Sequence, residues 1–222
     1  ISNGFLYINN PPEEMEWLTG EPVKKKAVKR DIHIFDEQPK ADKLIEMLTG
    51  DLINRRVILW YNLYAERLII ESALTKTGIP FLTIAGGEKD TGGKVKEFNS
   101  SQKYRVLLCQ SKSVNYGITV LGTNPEALEE EGIEVLPDVD TSIYTQIFYS
   151  LSFSLETYLQ QQDRIHRIGQ THLCEYYHLI SNSKIEKDLV RALEDKLELR
   201  ESILTDILKD YHDSLSEGSL SE

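Results

Sequence analysis

Cysteine is scarce in this chain: there are two, Cys109 and Cys174, and neither sits in a CxxC pair. Both fall in apolar, strand-like runs. That excludes a disulfide framework and points to buried free thiols in a reducing compartment. Apolar runs stay well short of the roughly 18 residues that a bilayer crossing needs, which excludes a membrane-spanning helix. The start lacks the basic-then-apolar order of a secretory signal. It also lacks Met, so Ile1 reads as a cut site or a boundary. Asn99-Ser100-Ser101 has the form of a glycan acceptor, yet nothing else suggests secretion. Excess basic charge is missing too. Lys and Arg number 25 against 36 Asp and Glu, for a net charge of −11. A surface coated in positive charge for non-specific nucleic-acid binding is thereby excluded; one local basic face is not.

What is present suits one sizeable domain with extensions. The chain has 222 residues, of which 40% are hydrophobic and 27% charged, enough for a real core. Residues 1–35 mix Pro, Gly, Asn and Lys and read as an irregular N-terminal extension that packs by patches such as Phe5-Leu6-Tyr7-Ile8. Basic residues cluster in Lys24 to Arg30, either a solvated segment or a phosphate-contacting arm. Leu44, Ile45, Leu48 and Leu52 recur at helical spacing. Further helices are expected over Ala65 to Thr77 (stopped by Gly78), Lys94 to Asn99 and Leu155 to Ile165. Ser183 and Glu186 form a capping box before a long helix with Ile185, Leu189, Leu193 and Leu197 four apart. Acidic residues crowd an insertion at 122–139, with a small helix expected over Glu126 to Glu131, and residues 214–222 read as a disordered tail.

Between the helices lie apolar strands: Arg56 to Tyr61, Ile79 to Ile84, Tyr104 to Cys109, Gln146 to Leu151 and Leu173 to Ile180. Strands that are apolar throughout and alternate with helices predict a mostly parallel sheet covered on both faces. Ligands in such sheets bind beyond the carboxyl ends of the strands. The loops after Thr83, Cys109 and Leu151 are therefore where chemistry is expected.

The strongest local signal is the run Gln160-Gln161-Gln162-Asp163-Arg164-Ile165-His166-Arg167-Ile168-Gly169-Gln170. Arg164 and Arg167 stand three apart, so at a helix end they share a face. Two guanidinium groups held together suit a phosphate chain, because each donates two parallel hydrogen bonds. Spacing alone equally allows two surface arginines on a helix.

This run resembles motif six of the Swi/Snf-related branch of the superfamily two helicases. The rest of the chain follows in that family's order. Val57 to Trp60 resembles the motif four strand, Leu107 to Val120 resembles motif five, and Phe153 to Leu159 is similar to the segment leading into motif six. Ile1 to Tyr7 and Gln38-Pro39-Lys40 resemble the segments that enter the lobe. The Ser154-Leu155-Glu156 wording is closer to phage and bacterial members. Motif five departs from the pattern: Lys112 stands for Arg, Asn115 for a Gly and Thr119 for an Asn, while Ser111 and Gly117 are kept.

The resemblance implies a RecA-like three-layer domain over 36–182 with a C-terminal helix over 183–213. It implies the C-terminal motor lobe of an ATP-dependent translocase or helicase acting on double-stranded DNA. Arg164 and Arg167 would be arginine fingers, which speed phosphoryl transfer by roughly 10³ to 10⁵. Gln160, Asp163 and Gly117 would border the nucleotide. Gln110, Ser111 and Lys112 would sit near DNA phosphates. No G-x-x-x-x-G-K-[ST] is present, and Gly87 to Val95 misses its spacing. No Asp-Glu-x-His box is present either. ATP with Mg²⁺ is thus expected to be held mainly by an N-terminal lobe of the same parent protein, and the isolated lobe is expected to be inactive. The compartment would be cytoplasmic in a bacterial or phage-infected cell and nuclear in a eukaryote. The rival reading is a RecA-like binding module for DNA or protein without motor activity.

Weaker signals resolve to ordinary roles. His172, Cys174, Tyr176 and His178 share one strand face, but one strand does not supply four converging zinc ligands. Trp17 and Trp60 are of a type that stacks on bases. Trp60, however, lies in an apolar strand and reads as core.

Overall fold

The computed structural model describes residues 3–9, 30–100, 103–112, 120, 142–168 and 170–218. The acidic insertion with its expected helix, the basic run up to Lys29, Trp17, Gly117 and Gly169 lie outside the described residues.

Five parallel strands form the centre: β3 (Val57–Tyr61), β4 (Phe81–Ile84), β5 (Val106–Gln110), β6 (Thr145–Phe148) and β7 (Glu175–His178). Their order is β4-β5-β3-β6-β7. Every pairing is parallel, for example Ile58 beside Leu107 on one side and beside Gln146 on the other. The central strand β3 is buried at all five positions, as an unbroken Val-Ile-Leu-Trp-Tyr run requires.

One face of the sheet, carrying Val57, Leu59 and Tyr61, is covered by Leu44 and Leu48 of α1 (Pro39–Thr49) and by Ile70 and Leu74 of α2 (Tyr64–Lys76). The other face, with Ile58 and Trp60, packs on Val95 and Phe98 of α3 (Thr91–Ser100) and Tyr158 of α4 (Leu155–Gln162). This is the three-layer, RecA-like α/β arrangement that the strand pattern predicts. A fifth helix, α5 (Lys184–Gly218), follows β7 and packs against α4. Helix α2 ends where expected. Gly78 takes φ +68° and sends its N–H to the Thr75 carbonyl, a left-handed stop that a side chain would strain.

Three expectations change. Residues 1–35 are not irregular throughout: β1 (Phe5–Asn9) pairs antiparallel with β2 (Arg30–Ile34). Phe5 is buried against Ala41, Ala65 and Ile69, so the ribbon is anchored to α1 and α2. Gly4, at φ +76°, lets the Gln38 amide reach its carbonyl at 2.9 Å, and any Cβ there would collide with that amide. Next, α4 stops at Gln162 rather than Ile165. The N–H groups of Arg164 and Ile165 turn back to the Gln161 and Gln162 carbonyls, three residues behind, which tightens the chain out of the helix. Last, α5 keeps helical backbone through 214–218, part of the stretch expected to be disordered. Among the described residues no helix is long and apolar enough to cross a membrane.

Candidate functional site

The chain leaves β3 through α2 toward β4 and leaves β6 through α4 toward β7, on opposite sides of the sheet. The carboxyl ends of β3 and β6 therefore form the switch point where a doubly wound sheet opens a crevice. A polar network fills it. Glu66, fully buried in the first turn of α2, accepts from the backbone N–H groups of Asn62 (2.9 Å) and Leu63 (3.0 Å). It also accepts from the Ser150 hydroxyl at 2.7 Å and the Asn3 amide at 2.9 Å. The Asn62 amide donates to Ser150 Oγ at 2.9 Å, and Gln110 donates to the Asn62 carbonyl at 3.2 Å. Asn3 in turn accepts from Lys40 at 3.1 Å.

The candidate DNA-contacting residues leave the sheet beside this network. Gln110 is the last residue of β5 and half-buried. Ser111 is buried, and both its N–H (2.8 Å) and its hydroxyl (3.1 Å) point inward to the Tyr61 carbonyl. Lys112 alone of the three is exposed.

The arginine run follows α4. Ser154 caps the start of α4, its hydroxyl accepting from the N–H of Thr157, and within the helix Gln160 donates to Glu156 at 3.0 Å. Asp163 is the C-terminal cap. Arg164 and Arg167 thus lie in the turn beyond the helix rather than on its face. Their settings differ. Arg164 is 4% exposed, while Arg167 is exposed and donates from Nε to the Asp163 carbonyl at 3.0 Å. Burial lowers the Arg164 pKa, and the nearby Arg167 charge lowers it further, against a partial offset from Asp163 and Cys109. Ile165 anchors the turn in the second core cluster beside Cys109. The carbonyl of Ile165 accepts from the Gln170 amide at 3.2 Å.

Other candidates fall into structural roles. Trp60 is core, 1% exposed, and donates from Nε1 to Gln146 at 3.0 Å. His178 bonds the Tyr158 hydroxyl at 3.0 Å and stacks on Phe148. Burial lowers its pKa. His172 instead stacks on Tyr144, and Cys174 meets the Ile165 carbonyl. Among the described residues no three of His, Cys, Asp and Glu converge as a metal site would require.

No protein-family model matches the chain. It is 26% identical over 204 residues to the ATP-dependent helicase fft1 of Schizosaccharomyces pombe, covering 87% of this chain and 20% of that protein. It is 28% identical over 161 residues to the helicase SWR1 of Cryptococcus neoformans, covering 71% of this chain and 11% of that one. Its relatives are Swi/Snf-related helicases. The chromatin-remodeling ATPase INO80 of Sclerotinia sclerotiorum is a further one, 23% identical over 197 residues, with 88% of this chain and 10% of that protein covered. The chain spans a fifth or less of the length of these relatives. Among solved structures, the C-terminal part of the Fun30 ATPase domain shares the fold, with a TM-score of 0.56 at 20% identity, covering 71% of this chain and 45% of that one. All three relatives are fungal, and the expected phage or bacterial type finds no support among them.

Proposed function

We propose that this chain is the C-terminal motor lobe of an ATP-dependent DNA translocase. Arg164 and Arg167 reach the phosphates of ATP held by an N-terminal lobe of the same protein. The observation that carries this reading is the turn after α4. It holds a guanidinium that is almost fully buried and electrostatically opposed by a second, exposed one. Asp163 offsets part of that cost, and a phosphate anion beside the pair would offset more. The γ-phosphate is such an anion, and its charge grows in the transition state.

Gln160, Asp163 and Gly117 border the nucleotide in this reading, and Mg²⁺ is held mainly by the N-terminal lobe. Lys112 is the phosphate contact on the double-stranded DNA side, with Gln110 and Ser111 shaping the loop that carries it. Such contacts place the protein on DNA without reading sequence. Closure of the two lobes on ATP would move this DNA-gripping loop relative to its counterpart. A chromatin-remodeling relative supports the nuclear setting of the two expected compartments.

The test is DNA-stimulated ATP hydrolysis by the full-length protein with Arg167→Ala. Turnover should fall by roughly 10³ or more. Wild-type turnover would reject the finger roles. The isolated lobe should hydrolyse ATP negligibly, and fast turnover by it alone would reject the half-site.

A second reading, a binding module without motor activity, draws on the net charge of −11 and on Lys112 standing where the family has Arg. It predicts DNA or protein binding by the full-length protein without stimulated hydrolysis.

A further inference from the structure

We propose that Gln146 is a positioning residue that holds the arginine turn in register with the central strand. The proposal rests on the motor reading for its catalytic consequence only.

Gln146 is fully buried in the middle of β6, among Thr145, Ile147 and Phe148. An apolar residue would pack there without the cost of taking an amide out of water. The amide is instead used at both ends. Its Oε1 accepts from Trp60 Nε1 at 3.0 Å, and its Nε2 donates to the Gln161 carbonyl at 2.8 Å. Trp Nε1 only donates, so it fixes which end of the amide faces β3 and turns the NH₂ group toward α4.

The target of that NH₂ group is specific. The Gln161 carbonyl lies in the last turn of α4 and also accepts the backbone N–H of Arg164 at 3.1 Å. One oxygen therefore joins the Gln146 side chain to the Arg164 backbone. The line Trp60–Gln146–Gln161–Arg164 ties the centre of the motif four strand to the candidate finger by hydrogen bonds in a dry interior, where they are directional and strong. Ile165 and Gln170 hold the far side of the same turn. Misplacing a catalytic group by about 1 Å costs up to about 100-fold in rate.

The experiment uses the full-length protein with Gln146→Leu, and with Gln146→Leu combined with Trp60→Phe. The measurements are amide hydrogen exchange over 161–170, melting temperature, and kcat and KM for ATP. Gln146→Leu should speed exchange in 161–170 while leaving β3 and β5 protected. It should lower kcat about 10- to 100-fold with KM for ATP little changed. Adding Trp60→Phe removes the stranded indole N–H but opens a cavity in the core, so it should leave kcat low whatever the melting temperature does. Recovery of kcat together with melting temperature would show a merely structural role and overturn the proposal. Unchanged exchange in 161–170 would overturn it as well, independently of the arginines. Arg164→Ala, measured in parallel, tests the motor reading separately.

Discussion

Lys40 and Glu186, 146 positions apart in the chain, meet at 2.5 Å with side chains only 7% and 14% exposed. Lys40 lies in the first turn of α1 and Glu186 in the first turn of α5, so the pair pins the C-terminal helix to the start of the lobe. Lys40 also donates to Asn3, and its ammonium lies 5.4 Å from the centre of the Tyr149 ring. Removing one partner of a buried ion pair strands the other charge and costs about 3–5 kcal/mol. Lys40→Met should therefore lower unfolding free energy by about that much in urea titrations. Lys40→Met with Glu186→Leu should recover most of it, because no charge is then stranded. A double variant as unstable as the single would mean that the helix is not pinned by this pair.

Glu66 gives a second prediction. Its carboxylate receives four donors while fully buried. Glu66→Gln keeps one acceptor oxygen, which serves the Asn62, Leu63 and Ser150 donors. Its new NH₂ group then opposes the Asn3 amide. Hydrogen bonds to charged groups are worth about 1.5–3 kcal/mol, so the loss in chemical denaturation should be of that size. Glu66→Leu, which strands all four donors, should cost more. Equal losses for the two variants would contradict the hub role.

The layers of this lobe are legible from sequence because β3 and β5 are apolar at nearly every position. Such runs have one stable setting, inside a parallel sheet. The arginine turn is legible as a motif but not in its geometry. Helical spacing puts Arg164 and Arg167 on one face, whereas the tightened turn after Gln162 buries one and exposes the other. The hydrogen-bonded hubs are hidden for a different reason. Glu66 stands in what reads as an ordinary helix first turn. Its partners Asn3 and Ser150 are 63 and 84 residues away, and no local periodicity records such contacts. Gln146 did leave a trace, a polar residue within an apolar strand. The ribbon of β1 and β2 was obscured because its strands, Phe5–Asn9 and Arg30–Ile34, are separated by a long polar stretch rather than by a two-residue turn.

His178 links stability to pH. Burial lowers its pKa below the ordinary value of about 6.5. The unfolded chain therefore binds a proton that the folded chain resists. Stability rises with pH wherever the unfolded state holds more protons. The contribution of His178 is thus fully present above about pH 6.5, and it is lost as pH falls from there toward the folded-state pKa. Melting temperature should drop as pH is lowered from 7 through 6, and His178→Asn should flatten that part of the curve. An unchanged slope in the variant would place the titration elsewhere.

Arg164 and Arg167 should separate when stability and turnover are measured together. Arg164 is 4% exposed, so Arg164→Ala removes packing as well as charge. It should cost about 1–3 kcal/mol, the ordinary range for a buried deletion. Arg167 is exposed and its Nε bonds the Asp163 carbonyl at the surface. Arg167→Ala should therefore shift unfolding free energy by less than about 0.5 kcal/mol. Both variants of the full-length protein should lose DNA-stimulated ATP hydrolysis, Arg167→Ala without a stability penalty. Arg164→Lys keeps the charge but not the fork of donors. It should restore stability more than turnover if bidentate phosphate contact is the requirement. Full turnover by Arg164→Lys would show that a point charge suffices there, and would leave Arg167 to carry the geometry-dependent contact.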